Sequence, residues 1–160
     1  MRPKGAIEAI MGHTYANLLA HVVFSTKDRL PLIREEFRGR LHEYLSGIAR
    51  EEFGRALKIG GMPDHLHALI SLKSDVSMAE GMRKWKSLSS GWIHETFPGN
   101  DVFAWQAGYG AFSVSQSNAP EVIAYIERQA EHHRTMTFQE ECMAFLKRHN
   151  IPYDPAHIWD

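Results

Sequence analysis

The order of strand-like and helix-like segments is the feature that most restricts the folds open to this chain. Residues 15–26 are rich in β-branched and apolar types and end in a polar turn, which predicts a first strand. Residues 34–53 then place apolar side chains at helical spacing, and Gly54 ends that run. Two more strand-like segments, residues 56–60 and 65–72, flank a Gly-Met-Pro-Asp turn and therefore predict a hairpin.

A second helix and a fourth strand complete the order. Ser77, with Glu80 three residues later, forms a capping-box pattern that predicts a helix to about residue 97. Strand-like pieces follow at residues 102–106 and 112–115. The order β-α-β-β-α-β predicts an α+β protein of the ferredoxin-like (split βαβ) fold, with helices on one face of an antiparallel sheet. This fold supports many activities, so it does not by itself indicate a function.

Two C-terminal helices are expected after the sheet. Proline is tolerated in the first turn of a helix, and the pattern predicts one continuous helix over residues 120–134. A second capping box, formed by Thr137 and Glu140, predicts a last helix that ends near residue 150.

Length and composition exclude several classes of protein. With 160 residues, of which 44% are hydrophobic and 23% charged, the chain has the size and composition of one globular domain. We expect that domain over residues 14–160, after an N-terminal extension, residues 1–13, that need not be ordered. Cys142 is the single cysteine, which excludes an intramolecular disulfide and indicates a reducing compartment. No apolar run reaches the roughly 18 residues that cross a bilayer, so we expect no membrane partner and a cytoplasmic location.

Two histidines on the third predicted strand form the most informative local pattern. Residues i and i+2 of a strand point to the same face, so His65 and His67 project together while Leu66, Ala68 and Ile70 face the core. Two neutral imidazoles side by side can each give one nitrogen to a divalent cation. The alternative is a pair of polar residues on the wet face of a half-buried strand.

Tyr125 and Gln129 form the second pattern, because residues four apart on a helix share a face. The alternative is a half-buried core tyrosine beside a solvated glutamine. His21 approaches the histidine pair if the first and third strands are neighbours, and is otherwise an ordinary half-buried histidine. His132 and His133, soon after Gln129, are either a source of a further ligand or a solvated helix end.

Taken in this order, the strand-borne His-Leu-His and the helical Tyr-x-x-x-Gln resemble the single-tyrosine HUH transposases. These include the small insertion-sequence transposases and the REP-associated tyrosine transposases. The resemblance covers roughly residues 14–160. Other stretches that resemble the family are residues 21–27 (HVVFSTK), 61–67 (GMPDHLH), 103–110 (FAWQAGYG), 151–154 (IPYD) and 159–160 (WD).

The resemblance implies a reaction and a role for each residue. His65, His67 and Gln129 would bind one divalent metal ion, Mg²⁺ or Mn²⁺, and Asp64 is a candidate to orient a ligand, with a turn residue as its alternative. Tyr125 would be the nucleophile. Members of the family cleave and rejoin single-stranded DNA with hairpin-bearing ends through a 5′-phosphotyrosine intermediate.

The resemblance also implies partners. Members work as dimers, so we expect a homodimer, in which the tyrosine helix completes either the site of its own subunit or that of the partner. The reaction exchanges one phosphodiester for another, so no nucleotide cofactor is expected, and the chain has no Gly-x-x-x-x-Gly-Lys-Ser/Thr motif. Single-stranded DNA hairpins in a prokaryotic cell are the expected partner.

The net charge of −1 means that DNA contacts must come from local groups of residues. Cations bind phosphates, and aromatic faces stack on unpaired bases. The candidates are Arg83, Lys84, Trp85 and Lys86 on the second predicted helix, and Lys27 and Arg29 after the first strand. For the group on the helix, the alternative is a solvated helix face with one anchoring tryptophan.

Two other functions stay open. A domesticated protein of the same fold would bind repeat or hairpin DNA without mobilising it, although the presence of every catalytic-type residue argues against this. A small ferredoxin-like metal-binding protein would use its metal for no phosphoryl chemistry. A covalent protein–DNA band on a denaturing gel favours the enzyme, reversible binding favours the second function, and no binding favours the third.

Overall fold

The computed structural model describes residues 14–159, so the predicted N-terminal extension, residues 1–13, lies outside the described residues. An antiparallel sheet of four strands lies at its centre, in the order β2-β3-β1-β4. This order is that of the ferredoxin-like fold and confirms the predicted α+β class. The strands are β1 (Leu19–Ser25), β2 (Gly54–Met62), β3 (His65–Leu72) and β4 (Gly110–Val114).

Two helices, α1 (Glu35–Glu52) and α2 (Met78–Thr96), cover one face of the sheet. The apolar residues of β3 predicted to face the core, such as Leu66 and Ile70, are fully buried against them. Within the described part of the chain, no helix is both long and apolar enough to cross a membrane.

Three C-terminal helices pack on the opposite face: α3 (Ala119–Glu127), α4 (Gln129–His132) and α5 (Phe138–Arg148). Ile126 of α3 packs against Leu69 of β3, and Phe145 of α5 packs against the side chains of β1 and β4. The face of β3 that carries the two histidines is therefore buried rather than wet.

The single helix predicted over residues 120–134 was wrong, because the chain leaves helical geometry at Arg128, where φ is −100° and ψ is 23°. The N–H of Arg128 bonds to the carbonyl of Tyr125, three residues back, which tightens and ends α3. The strand predicted at residues 102–106 is also missing from the described residues. Trp105 makes only an isolated bridge with Thr26.

Both predicted N-cap residues accept their capping hydrogen bond, but the Glu80 carboxylate binds Arg83 rather than returning a bond to Ser77. The Ser77 side chain accepts a hydrogen bond from the N–H of Glu80 at the start of α2. Thr137 and Glu140 form the reciprocal capping box at the start of α5.

Gly60 of β2 allows α3 to approach the sheet closely. A Cβ atom at this position would lie 2.6 Å from the carbonyl oxygen of Ile126. Because Ile126 follows Tyr125, this glycine fixes the distance between the sheet and the helix that carries the tyrosine.

Candidate active site

His65 and His67 are buried on the face of β3 that α3 to α5 cover, with 1% and 0% of their surface exposed. The Nδ1 atom of each ring meets a neighbouring side chain. His65 Nδ1 lies 2.8 Å from Oδ1 of Asp64, and His67 Nδ1 lies 2.8 Å from Nε2 of His21. The two Nε2 atoms therefore face a common centre.

The carboxylate of Glu141, from α5, occupies that centre. Its Oε1 lies 2.8 Å from Nε2 of His67, 3.8 Å from Nε2 of His65 and 3.3 Å from Nε2 of His133. Burial raises the pKa of this carboxyl, but the hydrogen bonds from His67 and Tyr125 outweigh burial and lower the pKa to about 2. Glu141 is therefore ionised at neutral pH.

Tyr125 and Gln129 reach the same centre from α3 and α4. The Tyr125 hydroxyl donates a hydrogen bond to Oε2 of Glu141. Gln129 places Oε1 3.1 Å from Nε2 of His65, and its Nε2 donates to Oε2 of Glu141 at 3.4 Å. The break at Arg128 does not separate the two side chains, because both donate to Oε2 of Glu141.

The Tyr125 phenol is held in its protonated form. Burial raises its pKa above the ordinary value, and the hydrogen bond and negative charge of Glu141 raise it further. A nucleophilic phenolate here would need a nearby cation to lower that pKa.

The donor atoms at this centre fit a divalent metal ion. One ligand atom from each of His65, His67, His133 and Glu141 lies within 4.8 Å of the others. Burial lowers the pKa of His67, so its imidazole is neutral, which is the form that binds metals. A site of imidazole nitrogens and a carboxylate oxygen suits Mn²⁺ and Zn²⁺. The cluster could therefore hold a metal ion.

The structure brings together His65, His67, Gln129, Tyr125 and Asp64, all of which were candidate site residues. Their roles stay predictions.

Sequence reasoning missed Glu141 and left His133 open. A weak signal for Glu141 exists, because it lies three residues after Phe138 and four before Phe145, on the buried stripe of α5. An acidic residue inside such an apolar stripe indicates a buried partner. The side chain of His132 lies outside the described part of the structure.

The DNA-contact candidates of α2 lie on the other face of the sheet. Trp85 is 0% exposed, and its Nε1 donates to the carbonyl of Leu45. The expectation that this ring stacks on a base was therefore wrong, because the ring is buried in contact with Phe24 and Phe53. Arg83 pairs with Glu80 on the surface.

Three of the remaining cations, Lys84, Lys86 and Arg29, also contact other groups of the protein. Lys84 pairs with Glu52 at 3.1 Å. Lys86 Nζ donates to the carbonyl oxygens of residues 106 and 108, and burial lowers its pKa to about 8. The Arg29 guanidinium lies 5.5 Å from the ring centre of Trp159, and Lys27 is exposed. DNA binding by these cations stays a prediction.

Comparison with known proteins gives one family and two similar structures. The family described as "Transposase IS200 like" matches residues 14–129. A protein from Deinococcus radiodurans R1 assigned as a transposase is similar with a TM-score of 0.58 and 24% identity, over 74% of this chain and 94% of the other. A REP-associated tyrosine transposase bound to a REP hairpin is similar with a TM-score of 0.56 and 14% identity, over 76% of this chain and 72% of the other. No curated protein sequence matches this chain.

At these identities the two structures establish a common fold. The matched family segment contains the histidine pair, Tyr125 and Gln129, whereas His133 and Glu141 lie beyond its last residue. The centre therefore combines residues of the matched segment with residues that follow it, among them Glu141 of α5.

Proposed function

Because the chain belongs to the IS200-like transposase family, we propose that it cleaves and rejoins single-stranded DNA through a covalent bond to Tyr125. Family membership gives a transposase-type function. The chemistry we propose is supported by one observation above all: the tyrosine hydroxyl and the Nε2 atom of His67 converge on the same carboxylate, Glu141. A phenol and a metal-binding pair that meet at one point can act on the same phosphodiester.

Tyr125 would supply the nucleophile. Its hydroxyl oxygen would attack phosphorus and lose its proton, and the bond from phosphorus to the 3′ oxygen would break. The products are a 5′-phosphotyrosine and a free 3′-OH, and the reverse reaction rejoins the strand. One phosphodiester replaces another, so no nucleotide cofactor is required.

His65 and His67 would hold a divalent metal ion, with Gln129, His133 or Glu141 completing the donor set. Such an ion, when bound, polarises a phosphate oxygen and stabilises a neighbouring phenolate. Asp64 accepts a hydrogen bond from Nδ1 of His65 and thereby keeps the Nε2 lone pair of that ring toward the centre.

Glu141 would have to change its contacts when DNA binds. Its carboxylate is 1% exposed and lies between the phenol and the imidazoles, where the scissile phosphate must come. Two anionic groups would repel each other at that distance. We therefore expect the carboxylate to bind metal or move aside in the DNA complex.

Hairpin-bearing single-stranded DNA is the substrate that we propose. A structurally similar REP-associated transposase was solved with a REP hairpin, which supports this choice. Tyr125 lies at the histidine pair of its own chain, so one protomer brings all the named groups together. A homodimer stays a prediction.

The test uses single-stranded hairpins from the source genome, labelled at the 3′ end because a 5′-phosphotyrosine keeps the DNA downstream of the cut. Incubation with Mg²⁺ or Mn²⁺ should give a covalent band on a denaturing gel, and a chelator should remove it. Tyr125→Phe should bind the hairpin on a native gel but give no covalent band. Reversible binding with no covalent band in wild type would favour a domesticated DNA-binding protein.

A further inference from the structure

His21 of β1 is a buried histidine that the proposed chemistry leaves without a role. It is 3% exposed. In the pairing of β1 with β3, Val23 is opposite His67 and His21 is opposite Leu69, so His21 is the diagonal neighbour of His67 on one face. Its Nε2 lies 2.8 Å from Nδ1 of His67.

The two histidines of the pair thus have different outer partners. The ring of His65 has a carboxylate at Nδ1, and the ring of His67 has a second imidazole there. A neutral imidazole that binds a metal through Nε2 carries its proton on Nδ1 and must donate that proton to an acceptor. Beside the ionised Glu141, Nε2 of His67 carries the ring proton and donates it to Oε1. When Nε2 binds a metal ion instead, the proton moves to Nδ1, and the group in place to accept it there is Nε2 of His21.

We propose that His21 is a positioning residue for the metal site: when Nε2 of His67 binds the ion, His21 accepts the Nδ1–H of His67 and so keeps Nε2 of that ring toward the centre. This role rests on the proposed function, because it requires that His67 binds a metal ion. It also explains why a polar residue lies among the buried side chains of a central strand.

Two aromatic rings lie beside the His21 ring. The ring of Phe145, from α5, meets it edge to face with centroids 5.0 Å apart, and the ring of Tyr125 lies at 6.0 Å.

Two substitutions separate the hydrogen bond from packing. His21→Leu fills much of the same space but has no acceptor. His21→Gln places an amide oxygen close to the position of the histidine Nε2 and can still accept a hydrogen bond. Phe145→Leu is the matched control, because it changes the packing around His21 and keeps the hydrogen bond.

The measurement is the affinity of the metal-free protein for Mn²⁺ by calorimetry. His21→Leu should weaken binding by about 10- to 100-fold, and His21→Gln should stay within about threefold of wild type. Nitrogen-15 NMR of the histidine rings with Zn²⁺ bound should show the proton of His67 on Nδ1 in wild type and in His21→Gln.

Equal Mn²⁺ affinity in wild type and His21→Leu would overturn the role. Equal losses in His21→Leu and His21→Gln, or an equally large loss in Phe145→Leu, would overturn it as well, because packing would then explain the effect. Wild-type protein that binds no Mn²⁺ would overturn both the metal-dependent part of the proposed function and this role. Mn²⁺ binding that does not depend on His21 would overturn this role alone, so the two failures can be told apart.

Discussion

Neighbouring residues of β3 serve opposite faces of the sheet, and the two faces are equally buried. Leu66 faces α1 and α2 with 0% of its surface exposed, and His67, the next residue, faces α3 to α5 with 0% exposed. Burial alone therefore does not distinguish the face that stabilises the fold from the face proposed to carry the chemistry.

The faces differ in the chemical nature of what is buried. On the Leu66 face, apolar area removed from water stabilises the fold at roughly 25 cal/mol per Å². On the His67 face, polar groups exchange bonds to water for bonds to one another, which adds little net stability. Among the described residues, no buried side-chain nitrogen or oxygen lacks a hydrogen-bond partner. Burying these polar side chains costs little stability because each of them has a hydrogen-bond partner. Since the network also adds little stability, we infer that its role is chemical.

The largest expected effect is on the polar face. His67→Ala removes one of the two imidazoles, so formation of the covalent DNA adduct should fall to background on a denaturing gel. Circular dichroism melting should still show one cooperative transition, which controls for folding. A wild-type amount of adduct from this variant would contradict the proposal that the His67 face carries the chemistry.

Leu66→Ala tests the apolar face one residue away. Truncation of a fully buried leucine leaves a cavity, so the free energy of unfolding should fall by about 2–5 kcal/mol in urea denaturation. Mn²⁺ affinity of the folded protein should stay unchanged, because the side chain points away from the histidines. A stability loss below about 1 kcal/mol would show that this face is less tightly packed than its burial indicates.

Gly60→Ala should act on both faces at once. The added Cβ would meet the carbonyl oxygen of Ile126 at 2.6 Å and push α3 outward, which we expect to destabilise the protein by about 1–3 kcal/mol. Tyr125 moves with α3, so adduct formation should fall more than the loss of stability explains.

The matched control is Gly47→Ala in α1, where a Cβ would meet nothing within 4 Å. This change should stabilise the helix by about 0.5–1 kcal/mol and leave the adduct unchanged. Similar behaviour of the two alanine variants would contradict the close approach of α3 to β2.

The smallest expected effects are at the helix caps. Ser77→Ala at α2 and Thr137→Ala at α5 should each cost about 1 kcal/mol, because each removes a capping bond. Hydrogen exchange should then speed up in α5 only for Thr137→Ala and in α2 only for Ser77→Ala. Exchange that rises in both helices for either variant would mean that the two faces do not respond independently.

Local patterns predicted much of the fold. Alternation along residues 65–72 gave β3 with the bounds that the structure has, and also the face on which each side chain lies. The ends of β1 and β2 shifted by a few residues because pairing with neighbouring strands, rather than composition, decides where a strand ends. The break at Arg128 was not predictable, since the residues around it are compatible with a continuous helix.

The site was predictable only where its residues are close in sequence. His65 and His67 share a strand, and Tyr125 and Gln129 are four residues apart, so the members of each pair are close in sequence as well as in space. Glu141 is 74 residues from His67 in sequence and reaches it only through the packing of α5 on the sheet. No local pattern encodes such a contact.

The most direct test of the account is to identify the amino acid that becomes bonded to DNA. The chain has five tyrosines, and mass spectrometry of proteolysed adduct can distinguish their peptides. We predict that the nucleotide is attached to Tyr125 and that the attachment requires a divalent metal ion. Attachment to Tyr15, Tyr44, Tyr109 or Tyr153, or equal attachment to Tyr125 without any metal, would contradict it.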